Sequence, residues 1–279
     1  MKQIILKKGQ VLVEETPAGV CNKDSVLVRN QYSLISAGTE MTSINFSKDN
    51  IIKKALNYPD KIAKGLQILK RKGIVETLKL AQNFLDFPIA LGYSCAGEVI
   101  EVGTNILDIK VGDLVACAGS ANANHAEIVS IPRNLLVKVP EGLDLKNACS
   151  ASVGAIAMHS VRQLDPKIGE TVAVVGLGLI GNLVAQILKA NGNRVIGIDI
   201  DNSRIKKAKD MGVDFVLNSL EKNVGLEIQK ITNTLGVDGT IISASTKGNE
   251  LIDLSLNITR RKGCVVVLGA VGLLIHRNQ

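Results

Sequence analysis

The 279-residue sequence is 46% hydrophobic but only 3% aromatic, without Trp, and carries a net charge of +7. That is apolar material for one large or two ordinary domains, which excludes a disordered chain, and a core of Val, Ile, Leu and Ala suits parallel sheets covered on both faces. The charge concentrates in residues 48–86, with nine Lys/Arg against four Asp/Glu; lacking interleaved aromatics, this segment reads as a solvated helical face rather than a nucleic-acid surface.

No apolar run approaches the length of a bilayer span, and Met1-Lys2 opens a polar-interrupted strand rather than a secretory leader, so a cytoplasmic protein is expected. Cys21, Cys95, Cys117, Cys149 and Cys264 are scattered with no C-x-x-C spacing, which reads as reduced thiols.

In chain order, strands are predicted at Gln3–Lys7, Val11–Glu15 and Ser25–Ser33, punctuated by Pro17, Gly19 and Asn22. From Ser47 to Asp86 the apolar spacing becomes helical. Strand patterns resume at Glu98–Val102, Leu114–Ala118, Ala126–Ser130 and Leu135–Val139, so a β domain surrounds a helical insert. A run of small residues from Ala148 opens a helix reaching Leu164, and beyond Gly169 strand and helix alternate. These patterns predict an α/β protein with a β domain over 1–153, its insert at about 47–86, and a doubly wound parallel sheet over 154–279.

The sharpest signal is Gly176-Leu177-Gly178-Leu179-Ile180-Gly181, which follows the apolar strand Thr171–Val175 and opens a helix to Ala190. In this context G-x-G-x-x-G is a dinucleotide fingerprint. Gly176 permits a tight turn, Gly178 lets backbone approach a pyrophosphate, and Gly181 lets helix and strand pack closely. The next strand, Arg194–Ile198, ends at Asp199, where an acid would bind the adenosine ribose hydroxyls and repel a 2′-phosphate, favouring NAD over NADP. Arg204 would line the ribose edge. Further strands at Asp214–Leu217, Val237–Ser243 and Gly263–Ala270 complete five parallel strands, separated by helices near Arg204–Met211, Leu220–Leu235 and Asn249–Thr259. Their carboxyl ends put Ser243, Ala244, Gly269 and Val271 where a nicotinamide ribose would rest.

With Pro88, Gly92, Gly97-Glu98-Val99, Val102-Gly103 and Val111-Gly112-Asp113 added to that fingerprint, the sequence resembles the medium-chain dehydrogenase/reductase superfamily of the zinc-type alcohol dehydrogenases. The resemblance implies a GroES-like β domain followed by a Rossmann domain. Ser33 to Glu40 and the following insert resemble a subgroup associated with bacterial surface-polysaccharide gene clusters. The family's zinc-ligand positions fall here on Ala37, Tyr93 and near Val153, and the lobe holding a structural zinc has no counterpart, so no metal is expected. Cys95, Cys117 and His125 fall at irregular positions that do not rebuild a site.

Without a Lewis acid, hydrogen-bond donors and a proton relay must polarise the reacting oxygen. Tyr93, Ser36 and Thr39 would occupy the ligand neighbourhood and His125 the substrate pocket, as catalytic candidates; filling the lost metal's space and capping a strand are the structural alternatives for Tyr93 and His125. The resemblance also implies a further Rossmann strand that pairs across a homodimer. This sequence ends at Gln279 before supplying it, so an incomplete Rossmann domain is expected and the usual homodimer is in question. The expected function is NAD(H)-dependent hydride transfer to or from a small carbonyl, alcohol or activated alkene, possible substrates including a sugar derivative. The alternative is a catalytically silent nucleotide-binding remnant.

Overall fold

The computed structural model describes residues 1–7, 9–48 and 88–275. The helical insert and most of the basic segment therefore lie outside the described residues. Residue contacts divide the chain into two units, Met1–Ser152 and Val153–Gln279.

The first unit contains β1 (Lys2–Lys7), β2 (Gln10–Glu15), β3 (Ser25–Ser33), α1 (Ala37–Lys48), β4 (Ile89–Ala90), β5 (Ser94–Val102), β6 (Leu114–Ala118), β7 (Ile128–Pro132), β8 (Leu136–Lys138) and the short α2 (Leu145–Ala148). They form antiparallel sheets of order β2-β1-β4 and β7-β3-β5-β6-β8. Alternate residues of the larger sheet, among them Val26, Val28, Val99, Val115 and Ile131, bury one face as the core. The β3–β5 register slips between Leu27 and Val28 and again between Asn30 and Tyr32. Such slips re-aim the side chains beyond them, and Ser33 follows the second.

Helix α1 begins at Ala37, well before the Ser47 suggested by apolar spacing. Gly38 and Thr39 are poor helix formers, but the Glu40 carboxylate accepts the Ser36 N–H at 2.9 Å and satisfies a donor at the helix start. Strand β7 likewise starts at Ile128 rather than Ala126, because Ala126 makes only an isolated bridge to Gln3.

The second unit is built on α3 (Ala151–Leu164, from Val153 onward), β9 (Thr171–Val175), α4 (Leu179–Ala190), β10 (Arg194–Asp199), α5 (Asn202–Asp210), β11 (Phe215–Asn218), α6 (Val224–Ile231), β12 (Val237–Ile242), α7 (Glu250–Ile258) and β13 (Thr259–Val267). The sheet order is β11-β10-β9-β12-β13, parallel throughout. Val172 and Val174 pack with α3 and α4 through Ala157, Val161, Val184 and Leu188. Ala173 and Val175 point to the opposite face, toward Val224 and Ile228 of α6 and Ile258 of α7. A strand buried on both sides explains why β9 reads as an unbroken apolar run.

Strand β13 starts at Thr259, directly after α7, rather than at Gly263. Val237 pairs with Thr259, and then the register jumps so that Gly239 pairs with Cys264. Lys262, at φ +62°, takes up part of the extra chain. Among the described residues, no helix is long and apolar enough to cross a membrane.

Candidate functional site

In this sheet the chain leaves β9 to one side for β10 and β11, then returns to the other for β12 and β13, which makes the carboxyl ends of β9 and β12 a topological switch point where ligands bind. The turn after β9 starts at Gly176, whose φ is +94° and where a Cβ would stand 2.6 Å from the Ala244 nitrogen. At Gly181 a Cβ would lie 1.8 Å from the Gly176 carbonyl oxygen. Gly178 is the opposite case, since a Cβ there would meet nothing within 4 Å.

Gly178 caps α4 without any side-chain hydrogen bond. The first-turn N–H groups of Leu179, Ile180 and Gly181 have no intrahelical acceptor, and the helix dipole adds positive potential at the same end. A backbone-lined, open cradle at a helix start suits a diphosphate, so these residues fit a dinucleotide. Asn182, one position further, donates from Nδ2 to the carbonyls of Leu177 at 2.5 Å and Gly178 at 3.1 Å, while its buried Oδ1 has no partner among the described residues. Sequence reasoning missed this brace.

Asp199 ends β10 with its side chain 4% exposed. Its Oδ2 accepts the Leu177 N–H at 2.6 Å, and Oδ1 accepts those of Ile200 at 2.7 Å and Asp201 at 3.0 Å. A carboxylate has about four lone-pair sites, so three backbone donors leave capacity for a further hydroxyl. The half-exposed Arg204 guanidinium stands 3.8 Å from Asp199 Oδ2 and equally far from Asp201 Oδ2.

Ser243 and Ala244 gather at the same turn, both N–H groups donating to the Val175 carbonyl at 2.8 and 3.0 Å. The Ser243 hydroxyl donates to the Gly176 carbonyl at 2.6 Å and thus braces the turn from below. Gly269 closes against them, a Cβ there falling 1.9 Å from the Ala244 oxygen. Val271 is half-buried further along the same segment.

In the first unit, His125 is buried, with Nδ1 2.8 Å from Ser33 Oγ and Nε2 3.2 Å from Glu40 Oε1. Its peptide is held as firmly as its ring. His125 donates its N–H to the Leu91 carbonyl and accepts from Ile4, each at 2.8 Å. Asn30 Nδ2 fastens the flanking carbonyls of Asn124 at 3.2 Å and Ala126 at 2.8 Å. Gly92, at φ +94°, makes room, because a Cβ there would be 2.9 Å from His125 Nδ1.

Ser36 and Thr39 join this cluster: the Ser36 N–H binds Glu40, and the Ser36 hydroxyl donates to Thr39 Oγ1 at 3.3 Å. Tyr93 is half-buried, its carbonyl accepting the Gly119 N–H at 3.0 Å, and its hydroxyl makes no hydrogen bond to any described residue. Three of the four sequence candidates thus share one network through Glu40, with Tyr93 outside it. Ser33 and Glu40 were missed by sequence reasoning, since nothing in their spacing from His125 signals contact.

The donor set does not fit a zinc ion. Ala37 and Val153 carry no donor atom, and both His125 nitrogens are engaged. Cys95 and Cys117 are cross-strand partners, and hydrogen bonding to Cys95, reinforced by burial, pushes the Cys117 thiol up, away from the thiolate that a metal requires. Among the described residues, no group of three or more His, Cys, Asp or Glu could hold a metal ion.

Comparison with known proteins agrees with this architecture. Residues 57–141 match the alcohol dehydrogenase GroES-like domain family, and residues 180–277 match the zinc-binding dehydrogenase family. The chain is 37% identical over 150 residues to the D-guloside 3-dehydrogenases of Shigella flexneri and Escherichia coli, covering 53% of this chain and 42% of each relative. The match thus spans less than half of those relatives' length. Among solved structures, an alcohol dehydrogenase from a Thermus species superposes with a TM-score of 0.77 at 19% identity, over 99% of this chain and 80% of the other. The Escherichia coli quinone oxidoreductase, solved with NADPH, superposes at 0.76 and 19% identity, over 99% and 76%. With its GroES-like unit and its parallel Rossmann sheet, the chain belongs to the medium-chain dehydrogenase/reductase superfamily.

Proposed function

We propose that the chain is a zinc-independent oxidoreductase that moves hydride between NAD(H) and a secondary alcohol or its ketone. The observation that carries this reading is the open, uncapped cradle at Gly178 with the Asp199 carboxylate beside it. Gly176, Gly178, Leu179, Ile180 and Gly181 hold the diphosphate; Asp199 takes the adenosine ribose hydroxyls and disfavours a 2′-phosphate, and Arg204 borders that sugar. Ser243, Ala244, Gly269 and Val271 line the nicotinamide ribose. The bound nicotinamide supplies the hydride acceptor or donor, and the protein supplies orientation and electrostatics. Ser36, Thr39 and Tyr93 polarise the reacting oxygen in place of a metal, and His125, its ring nitrogens bonded to Ser33 and Glu40, acts behind them through that network.

The D-guloside 3-dehydrogenase relatives suggest a glycoside hydroxyl, as at position 3 of a D-guloside, as the substrate class. NADH and NADPH titration by fluorescence, followed by a turnover panel including methyl D-guloside, tests the reading. Binding of NADH well ahead of NADPH, with turnover, supports it. Binding without turnover across the panel favours a silent nucleotide-binding protein, the reading motivated by Ala37 and Val153 at ligand positions; no affinity for either nucleotide at millimolar concentration rejects both.

A further inference from the structure

We infer that Ser33, His125 and Glu40 form a proton relay whose outer end is the Ser33 hydroxyl; this rests on the oxidoreductase reading above. Three observations lead to it. Ser33 is exposed, whereas His125 and Glu40 are both buried, so the three side chains run from solvent into the first unit. The links are 2.8 Å from Ser33 Oγ to Nδ1 and 3.2 Å from Nε2 to Glu40 Oε1. The relay is also held still at each inner member: Glu40 Oε1 accepts the Ser36 N–H, and the peptide of His125 is fastened by Leu91, Ile4 and Asn30.

A carboxylate can only accept, so Glu40 draws the imidazole proton to Nε2 and leaves Nδ1 bare. Nδ1 then accepts the Ser33 hydroxyl proton, and the Ser33 oxygen is free to take another. In the oxidation of an alcohol, the carbinol C–H bond breaks and its electron pair leaves with hydrogen to oxidised nicotinamide. The substrate O–H proton passes to Ser33 Oγ as the Ser33 proton passes to Nδ1, and the carbonyl π bond forms. The resulting imidazolium lies against Glu40, and the proton returns to solvent by the same route. Ser33 is the catalytic residue of this relay and Glu40 its positioning residue, acting only through His125.

The wiring is testable without substrate. The sequence has three His, so 15N-histidine NMR of the free full chain resolves few rings. The expected spectrum shows His125 with a protonated Nε2 and a bare Nδ1, the Nδ1 resonance moving in Ser33→Ala and the tautomer changing in Glu40→Gln. A protonated Nδ1 in the wild type, or an Nδ1 indifferent to Ser33→Ala, overturns the relay. In oxidation of methyl D-guloside, Ser33→Ala is expected to lower kcat by about 100-fold with the NADH Kd unchanged, and Ser33→Thr to restore it. An unchanged kcat also overturns the relay. Loss of the oxidoreductase reading shows separately as a wild type without nucleotide affinity, and the spectrum then decides the wiring by itself.

Discussion

The Asp199 carboxylate accepts the Leu177 backbone N–H at 2.6 Å, fastening the end of β10 to the middle of the glycine turn. One carboxylate therefore serves the fold before it serves any ligand. Asp199→Ala leaves three backbone donors unpaired, the Leu177 N–H in a buried setting, and should destabilise the second unit by about 1–3 kcal/mol. If Asp199 also binds the ribose, the same substitution should weaken NADH by roughly 10- to 100-fold and NADPH by less. Denaturant unfolding and paired nucleotide titrations separate the two effects.

Two glycines of the turn should respond in opposite ways. A methyl at Gly178 enters open space, so Gly178→Ala should fold at the cost of a poorer helix cap alone, about 1 kcal/mol or less, while obstructing the diphosphate and weakening nucleotide binding. Gly181→Ala drives its methyl into the Gly176 carbonyl and should cost about 1–3 kcal/mol or more through overpacking. Thermal melts with and without NADH distinguish a filled cradle from a strained fold.

The thiols should divide by access and environment. Cys264 is exposed on β13, whereas Cys95, Cys117 and Cys149 are buried, and burial pushes the Cys149 thiol up. A native sample treated with an aromatic disulfide reagent at pH 8 should modify Cys264 first. Cys95 and Cys117 should react only on unfolding, as peptide mapping would show; early modification of Cys117 contradicts the packing of β5 on β6.

Asp214 gives the second unit a definite acid response. Burial alone pushes its carboxyl up, but the Lys189 ammonium at 2.7 Å and the Val195 N–H at 2.7 Å outweigh burial and hold it below the usual range. Because the folded value is depressed, this support is complete above the unfolded carboxylate value, about 3.9, and fades as pH falls through the folded value. Asp214→Asn should lower the melting temperature at pH 7, with the gap from wild type narrowing below pH 4.

The sequence discloses some parts of this protein far better than others. Ser25–Ser33, Leu114–Ala118 and Thr171–Val175 are read to the residue because apolar patterning and flanking turn residues agree locally. The glycine fingerprint is legible because backbone geometry dictates residue type at Gly176 and Gly181. The start of α1 is not, because it depends on a side chain, Glu40, reaching back four residues over weak helix formers. The Ser33–His125–Glu40 contact is invisible in sequence because it joins the end of β3, a loop and the first turn of α1, residues 92 and 85 positions apart. The bracing hydroxyl of Ser243 belongs to the same class, 67 residues from Gly176.

The pinned peptide at residue 125 bears on how such a protein diversifies. With Leu91, Ile4 and Asn30 clamping that stretch, its imidazole is a fixed datum, and changes there cost stability before they alter selectivity. The neighbouring surface from Ser33 to Thr39 holds exposed Ile35, Ala37 and Gly38, which carry no comparable burden. Lineages acquiring new chemistry around this histidine should vary those solvent-facing positions first and keep Asn30, Gly92 and Glu40.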